Sequence, residues 1–399
     1  MRWLSILGIG EEGVAGLPPL SRGLIESAEI VFGGRRHLEL AASLIRGEPR
    51  PWPSPFDVTG VFAERGRRVV VLASGDPMLH GVGATLLRRM PPEEALVVPA
   101  PSAFSLAAAR LGWALEGVVT LSLHGRPIEL LRPHLHPGAR ILALTSDADG
   151  PAAVAALLRE GFAGTRITVL EALGGPGERI RGTTAGEFAL SGTAALNLVA
   201  LEVVAVPDAR ILAWAPGLPD AYFEQDGQLT KREIRAVTLS ALAPRRGALL
   251  WDIGAGAGSV CIEWMLADPS LRAIAVETRP DRAARIRRNA LALGVPGLAV
   301  VEGQAPAALV GLDAPDAVFL GGGAADPGVL DTALSALKPG GRFVANAVTL
   351  ETEAILLARR AALGGEMLRL AVSRAVAVGG MTGWRAAMPV TQWIWDKPA

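Results

Sequence analysis

The feature that most constrains this chain is a rhythm: short β-branched or apolar runs alternate with Ala-, Leu- and Arg-rich helical patterns along its whole length. Neighbouring parallel strands need a crossover between them, usually a helix, so the alternation specifies parallel sheets covered by helices, an α/β fold class throughout. In the first half it predicts strands over 3–9, 30–32, 69–73, 95–98, 118–121, 141–144, 166–170 and 196–203. It places helices over 103–111 and 152–160, the second opened by Asp149-Gly150-Pro151. Between Val204 and Gln228 the rhythm lapses into Val-Pro-Asp, Ala-Pro-Gly-Leu-Pro-Asp and an Asp226-Gly227 turn. It then restarts: helix 231–242, with Thr230 and Glu233 spaced for a capping box, strand 248–253, helix 259–267, strand 273–277, helix 281–293, strands 298–301 and 317–320, helix 328–337 and strand 342–347. Trp384 and the Trp393–Trp395 pair are expected to pack the final strands. With 399 residues there is room for separate cores, and the expected division is a first domain 1–205, a linker 206–228 and a second domain 229–399.

Lys plus Arg equals Asp plus Glu at 39 each, so the chain lacks the excess positive field that draws proteins onto nucleic acid or anionic membranes. Neither partner is expected. Gly8, Gly10 and Glu11-Glu12 break the N-terminal apolar run before it resembles a signal peptide, and the charge-free stretch 95–109 is interrupted by Pro99 and Pro101. A single cysteine, Cys261, makes neither an internal disulfide nor a structural zinc site, which suits a reducing cytoplasm. His134-x-His136 is bracketed by Pro133 and Pro137 with no Cys or acidic cluster beside it; it reads as a surface turn, and no metal is expected.

The sharpest local signal is Asp252-Ile253-Gly254-Ala255-Gly256-Ala257-Gly258-Ser259, which closes a strand and opens a helix. Each glycine alone signals no more than a tight turn. Together they let backbone approach a ligand at a helix N-terminus, and Glu277, one βαβ unit later, stands where a carboxylate can accept both hydroxyls of a ribose. That combination points to adenosine. The third glycine comes one residue too early for a dehydrogenase fingerprint, and the spacing resembles motif I of class I S-adenosylmethionine methyltransferases. Glu302-Gly303-Gln304-Ala305-Pro306, the glycine loop Gly321–Gly323 and Lys338-Pro339-Gly340-Gly341 are similar to that family's adenine loop, substrate-facing loop and turn before strand five.

In the first half, Gly8-Ile9-Gly10, Ser74-Gly75-Asp76 and Pro101-Ser102-Ala103 follow successive strands. The three resemble the loops of the tetrapyrrole methylases, a two-lobed S-adenosylmethionine fold unrelated to class I. Ser122–Arg126 and Glu171–Glu178 are similar to the branch that methylates carbon 5 in cobalamin biosynthesis. Most relatives carry a G-x-G-P-G first loop, where this chain has Glu11-Glu12 before Gly13. Gly227–Arg235, leading into motif I, resembles the segment that decarboxylating precorrin methyltransferases lay across the cofactor. Both halves in this order resemble the fused, decarboxylating precorrin C(5,15)-methyltransferases.

That resemblance implies methylation of precorrin-6Y at carbons 5 and 15, with loss of carbon dioxide from the acetate on carbon 12, giving precorrin-8X. It implies two S-adenosylmethionine sites, one held by Gly8, Gly10, Ser74, Gly75, Asp76, Ser102 and Ala103. The other is held by Thr230, Asp252, Gly254, Ala255, Gly256, Ala257, Gly258, Glu277 and Ala305. It further implies carbon 5 chemistry in the first domain, carbon 15 chemistry and decarboxylation in the second, and a homo-oligomer. The substrate is a reduced tetrapyrrole bearing several carboxylates, for which His124, Arg126, Lys231 and Arg235 are candidate contacts. All five histidines lie in the first half, so the second has no imidazole for acid–base work. Three alternatives stay open: the same chemistry on the cobalt-containing macrocycle or another planar substrate, an S-adenosylmethionine-binding scaffold with an inactive first domain, and an NAD-dependent oxidoreductase.

Overall fold

A computed structural model of the chain describes residues 2–399. They fall into two compact units: residues up to Ile128 with His136–Ala209, and Glu129–Leu135 with Arg210–Ala399.

The first unit holds two five-stranded sheets. One is built from β1 (Leu4–Ile9), β2 (Ile30–Gly33), β3 (Glu48–Pro51), β4 (Val69–Ser74) and β5 (Ala95–Val98) in the order β3-β2-β4-β1-β5, all parallel. β4 is buried from Val69 to Ala73, as a central parallel strand covered on both faces should be. The other sheet uses β6 (Val118–Ser122), β7 (Arg140–Leu144), β8 (Arg166–Glu171), β9 (Arg179–Thr184) and β10 (Asn197–Glu202) in the order β6-β7-β10-β8-β9, with only β6 and β7 parallel. The rhythm predicted neither β3 nor β9. Both are edge strands, Glu-Pro-Arg-Pro and Arg-Ile-Arg-Gly-Thr-Thr, and edges need no apolar run.

The second unit is one seven-stranded sheet: β11 (Leu249–Ile253), β12 (Arg272–Glu277), β13 (Ala299–Glu302), β14 (Ala317–Leu320), β15 (Arg342–Ala347), β16 (Glu366–Leu370) and, after a separate ribbon β17 (Ser373–Val378) and β18 (Met381–Ala386), β19 (Val390–Asp396). The order β13-β12-β11-β14-β15-β19-β16 is parallel through β15, and β19 and β16 close it antiparallel. The strand order reverses on either side of β11, so the ends of β11 and β14 open a crevice at the switch point.

Three expectations need correction. Residues 210–228 are not a free linker: Leu212, Leu218 and Phe223 are buried with Leu239 and Leu242 in the second core. The buried Glu263 accepts from the backbone N–H groups of Gly217 and Leu218 and pairs with the fully buried Arg235, whose guanidinium also donates to Leu218 and Thr230 carbonyls. The capping box does not form; the helix Arg232–Leu242 is capped at Lys231 without a side-chain bond, and Glu233 pairs with Arg374. Trp393 is fully buried against Phe343, but Trp384 stands on the exposed ribbon.

Candidate active sites

In the second unit the carboxyl ends of β11, β12 and β14 border a cleft of about 620 Å³. Gly254, Gly256 and Gly258 all adopt positive φ, which lets the chain turn sharply from β11 into the helix Ser259–Ala267. A Cβ on Gly256 would sit 3.0 Å from the Gln228 carbonyl, so the loop lies close under the 227–230 segment. Glu277, at the end of β12, accepts from Gly256 N–H at 2.9 Å through Oε2 and from Arg279 N–H at 3.0 Å through Oε1. Each oxygen keeps a second lone pair for a ligand hydroxyl. Asp252 is buried at the cleft floor, and the Cys261 thiol donates to its Oδ2 at 3.4 Å. Burial pushes the Asp252 carboxyl up to about 7. The same burial, with Asp252 alongside, raises the Cys261 thiol well above its usual range.

Thr230, Lys231, Asp252, Gly254, Ala255, Gly256, Glu277 and Ala305 line this cleft, with Gly321–Gly323 on the opposite lip. Ala257 and Gly258 do not line it. The Ala257 carbonyl accepts from Asn289 Nδ2, and a Cβ on Gly258 would meet Ile286 Cγ2 at 2.7 Å, so these two residues seat the helix. Arg235 does not line it either. Its guanidinium is spent on Glu263 and Asp220, which corrects its expected substrate contact. Asn346, at the end of β15, also lines the cleft and is held by Thr238 and Gln392, a buried polar trio that no sequence spacing announces.

In the first unit a cleft of about 680 Å³ runs from the ends of β1 and β4 to residues of the second sheet, Ser122, Leu144 and Leu170–Leu198 positions among them. Gly10, Ser74, Gly75, Asp76, Ser102, Ala103 and His124 line it. Gly8 lies beneath: its Cβ would fall 1.9 Å from the Gly75 carbonyl and 2.5 Å from Ala100 N. Backbone bonds tie the three loops together, Gly75 N to Ile9 O and Ala100 N to Gly75 O, each at 3.1 Å. Ser102 caps the helix Ala103–Leu111 by accepting from Ser105 N–H. Arg126 does not line the cleft; it reaches the Ser122 carbonyl at 3.4 Å. Arg36 and Glu11 do line it, joined as an ion pair, with Trp52 and Phe56 forming an aromatic wall. The local signal for Arg36 was Gly33-Gly34 followed by three basic residues at a strand end.

Both clefts fit an adenosine-bearing sulfonium: the second offers a glycine loop that side chains would fill and acids toward a ribose, the first three backbone loops pressed together at strand ends. No group of three or more metal-ligating side chains occurs among the described residues, and no helix among them is long and apolar enough to cross a membrane.

Comparison with known proteins gives two family matches, the tetrapyrrole (corrin/porphyrin) methylases over residues 4–189 and the precorrin methyltransferase domain over residues 221–397. A precorrin-6Y C(5,15)-methyltransferase [decarboxylating] of Sinorhizobium sp is 59% identical, covering 99% of this chain and 96% of that protein. A probable cobalt-precorrin-6B C(15)-methyltransferase (decarboxylating) of Pyrobaculum calidifontis is 36% identical over 44% of this chain and 93% of its own length. The crystal structure of the C-terminal domain of a Rhodobacter capsulatus precorrin-6Y C5,15-methyltransferase is 48% identical, covers 47% of this chain and 100% of that one, and has a TM-score of 0.45.

Proposed function

The chain belongs to the family of decarboxylating precorrin-6Y C(5,15)-methyltransferases, and from that premise we infer that it methylates precorrin-6Y at carbons 5 and 15 and removes the carbon 12 acetate carboxyl as carbon dioxide, giving precorrin-8X in cobalamin biosynthesis. The carrying observation is that two separately built clefts, each bordered by glycine-containing strand-end loops, fall inside two different methyltransferase family matches. Each cleft takes its own S-adenosylmethionine. The work is cytoplasmic, by a homo-oligomer.

S-adenosylmethionine, when bound, supplies a methyl group already activated by a sulfonium. An electron-rich enamine carbon attacks it without a strong base, so the chain's task is alignment, worth on the order of 7–11 kcal/mol in favourable geometry. In the second cleft Glu277 holds the ribose, Gly254 and Gly256 leave room for the chain's close approach, and Ala305 flanks the adenine. On the overlying segment Thr230 belongs with the cofactor residues, and Lys231 offers a cation to a substrate carboxylate. The cleft holds no imidazole; the macrocycle itself accepts the electron pair left when carbon dioxide departs. In the first cleft Ser74, Gly75, Asp76, Ser102 and Ala103 hold the cofactor, and His124 faces the macrocycle. Carbon 5 methylation is assigned to the first unit. Carbon 15 methylation with decarboxylation goes to the second, supported by the Pyrobaculum relative, whose name carries only that chemistry and whose length matches under half of this chain.

The test is incubation of the protein with S-adenosylmethionine and precorrin-6Y, followed by mass spectrometry. Two methylene equivalents gained and one carbon dioxide lost are expected; an unchanged substrate would refute the reading. The Pyrobaculum name also favours a second reading, the cobalt-loaded macrocycle, and the same assay with that substrate distinguishes the two by relative kcat/KM.

A further inference from the structure

The first cleft contains an arrangement that cofactor binding leaves unused. Arg36 is the one arginine or lysine among the described residues that line it, and it projects from the start of the short helix Arg35–Leu40 toward the loops after β1 and β4. One guanidinium nitrogen, Nη1, pairs with Glu11 Oε1. The other, Nη2, donates to Ser74 Oγ at 2.8 Å, and His37 Nε2 also lies 2.8 Å from that hydroxyl. Burial, with the Arg36 charge beside it, holds His37 down at about 4, so its ring is neutral near pH 7. Arg36 Nη2 also lies 3.2 Å from His37 Nε2, so Ser74 and His37 together border the Nη2 end of the guanidinium, apart from the Nη1 end that meets Glu11. Glu11 is differently placed. It lies in the loop after β1, no hydrogen bond among the described residues holds its carboxylate apart from the ion pair with Arg36, and four-fifths of its side chain is covered. Trp52 and Phe56 line the same cleft edge to face, 5.3 Å between ring centroids, so the cleft combines apolar aromatic surface with a single cation.

We propose that Arg36 is the anchor for a peripheral carboxylate of the macrocycle in the first cleft, and that Glu11 is an internal stand-in for that carboxylate, displaced when substrate binds. The inference rests on the proposed tetrapyrrole reading and adds the residue pair that selects an anionic edge. A guanidinium matches a carboxylate bidentately, whereas Glu11 in the same position makes every incoming carboxylate compete. Glu11 therefore weakens substrate binding, and it does so at Nη1, the end of the guanidinium that does not bond the Ser74 hydroxyl.

The test uses the full chain and initial rates of carbon 5 methylation, with separate KM values for the tetrapyrrole and for S-adenosylmethionine. Arg36→Gln, which also removes a bond to Ser74, is expected to raise the tetrapyrrole KM about tenfold or more and the S-adenosylmethionine KM by clearly less, since His37 still reaches the Ser74 hydroxyl. Glu11→Gln is expected to lower the tetrapyrrole KM about threefold or more, and that gain should vanish in the Glu11→Gln/Arg36→Gln double variant. A merely structural ion pair would instead raise both KM values in Glu11→Gln and lower its melting temperature. That result, or a tetrapyrrole KM unchanged in Arg36→Gln, overturns the proposal. Should Arg36→Gln melt early, Arg36→Lys decides in its place: a raised tetrapyrrole KM supports the anchor, an unchanged one refutes it. A wild-type protein that methylates no tetrapyrrole refutes the functional reading itself, and the anchor with it.

Discussion

In the first unit Arg36, Glu11 and His37 meet on the wall of the cleft, whereas in the second the most deeply buried ion pair, Arg235 with Glu263, lines no part of the cleft. The second cleft sets a glycine loop and two buried carboxyls, Asp252 and Glu277, alongside charges carried by Lys231, Arg282 and the exposed Glu233–Arg374 pair. Displayed charge costs little and is available to a ligand; enclosed charge is bound into the fold and cannot be removed singly. Recognition is therefore to be sought in the displayed charges of each cleft, and fold stability in the enclosed pair.

The largest break in the comparison should come from Gly256→Trp. The indole cannot fit under the Gln228 carbonyl, so carbon 15 methylation and decarboxylation should fall by more than about a hundredfold, while the Ser74–Asp76 loop keeps its activity. Mass spectrometry should then find at most one added methyl and every carboxylate retained, with each substrate intermediate supplied separately in case the steps are ordered. If Gly256→Trp still releases carbon dioxide, the assignment of that step to the second unit is wrong.

Next in size is the contrast between the two ion pairs. Arg235→Ala leaves Glu263 buried without its partner and should cost about 3–5 kcal/mol in denaturant unfolding of the second unit. Arg36→Gln, on a partly exposed wall, should cost no more than about 1 kcal/mol. Equal losses would erase the distinction between displayed and enclosed charge.

Asp252 sharpens it through pH. Its folded carboxyl titrates near 7, above its unfolded value, so the folded state favours the protonated acid and its contribution is complete below about pH 4 and lost as pH rises through 7. Asn copies the neutral acid. Asp252→Asn should therefore match the wild type in melting temperature at pH 4 and exceed it at pH 8, by on the order of a few kcal/mol in stability. A gap that is constant with pH would mean that Asp252 is charged in the fold.

The smallest effect expected is at Glu277. Removing one charged acceptor typically costs about 1.5–3 kcal/mol, so Glu277→Ala should weaken S-adenosylmethionine binding at the second site by about ten- to a hundredfold, read by calorimetry as the loss of one of two binding events. Unchanged affinity for both would remove Glu277 from the ribose.

The strand–helix rhythm made most of the large sheets legible, because central parallel strands are buried on both faces and β1, β4, β11 and β14 are mostly apolar runs, interrupted only by Ser5, Ser74 and Asp252. It passed over β3 and β9, the helix Leu350–Leu363 and strands β16–β18, where exposed edges carry Pro, Arg and Thr without a clear period. Glycine spacing led to the second cleft directly, since a ligand there meets consecutive residues. Arg36 and Glu11 stayed hidden for the opposite reason: they lie on different strand-end loops, and only the parallel pairing of β2 and β1 with β4 brings them to Ser74. Arg235 reads from sequence as a substrate contact because nothing there places Glu263 beside it. The segment 210–228 looked loose because Pro and Gly also serve a chain that winds over a core without regular structure.

The crowding at Gly8 bears on how such sequences can drift. Because even a methyl there would overlap the Gly75 carbonyl, position 8 has an alphabet of one letter, and no compensating change in a side chain can widen it, for the obstacle is main chain. Position 11, three residues on, turns its carboxylate to the Arg36 side chain, and its Cβ has Gly175, a residue without a side chain, for a neighbour. In a library of variants selected for turnover, tolerance should jump from none to broad within that span, and the first loop would acquire new substrate preferences through residue 11 while residue 8 stays frozen.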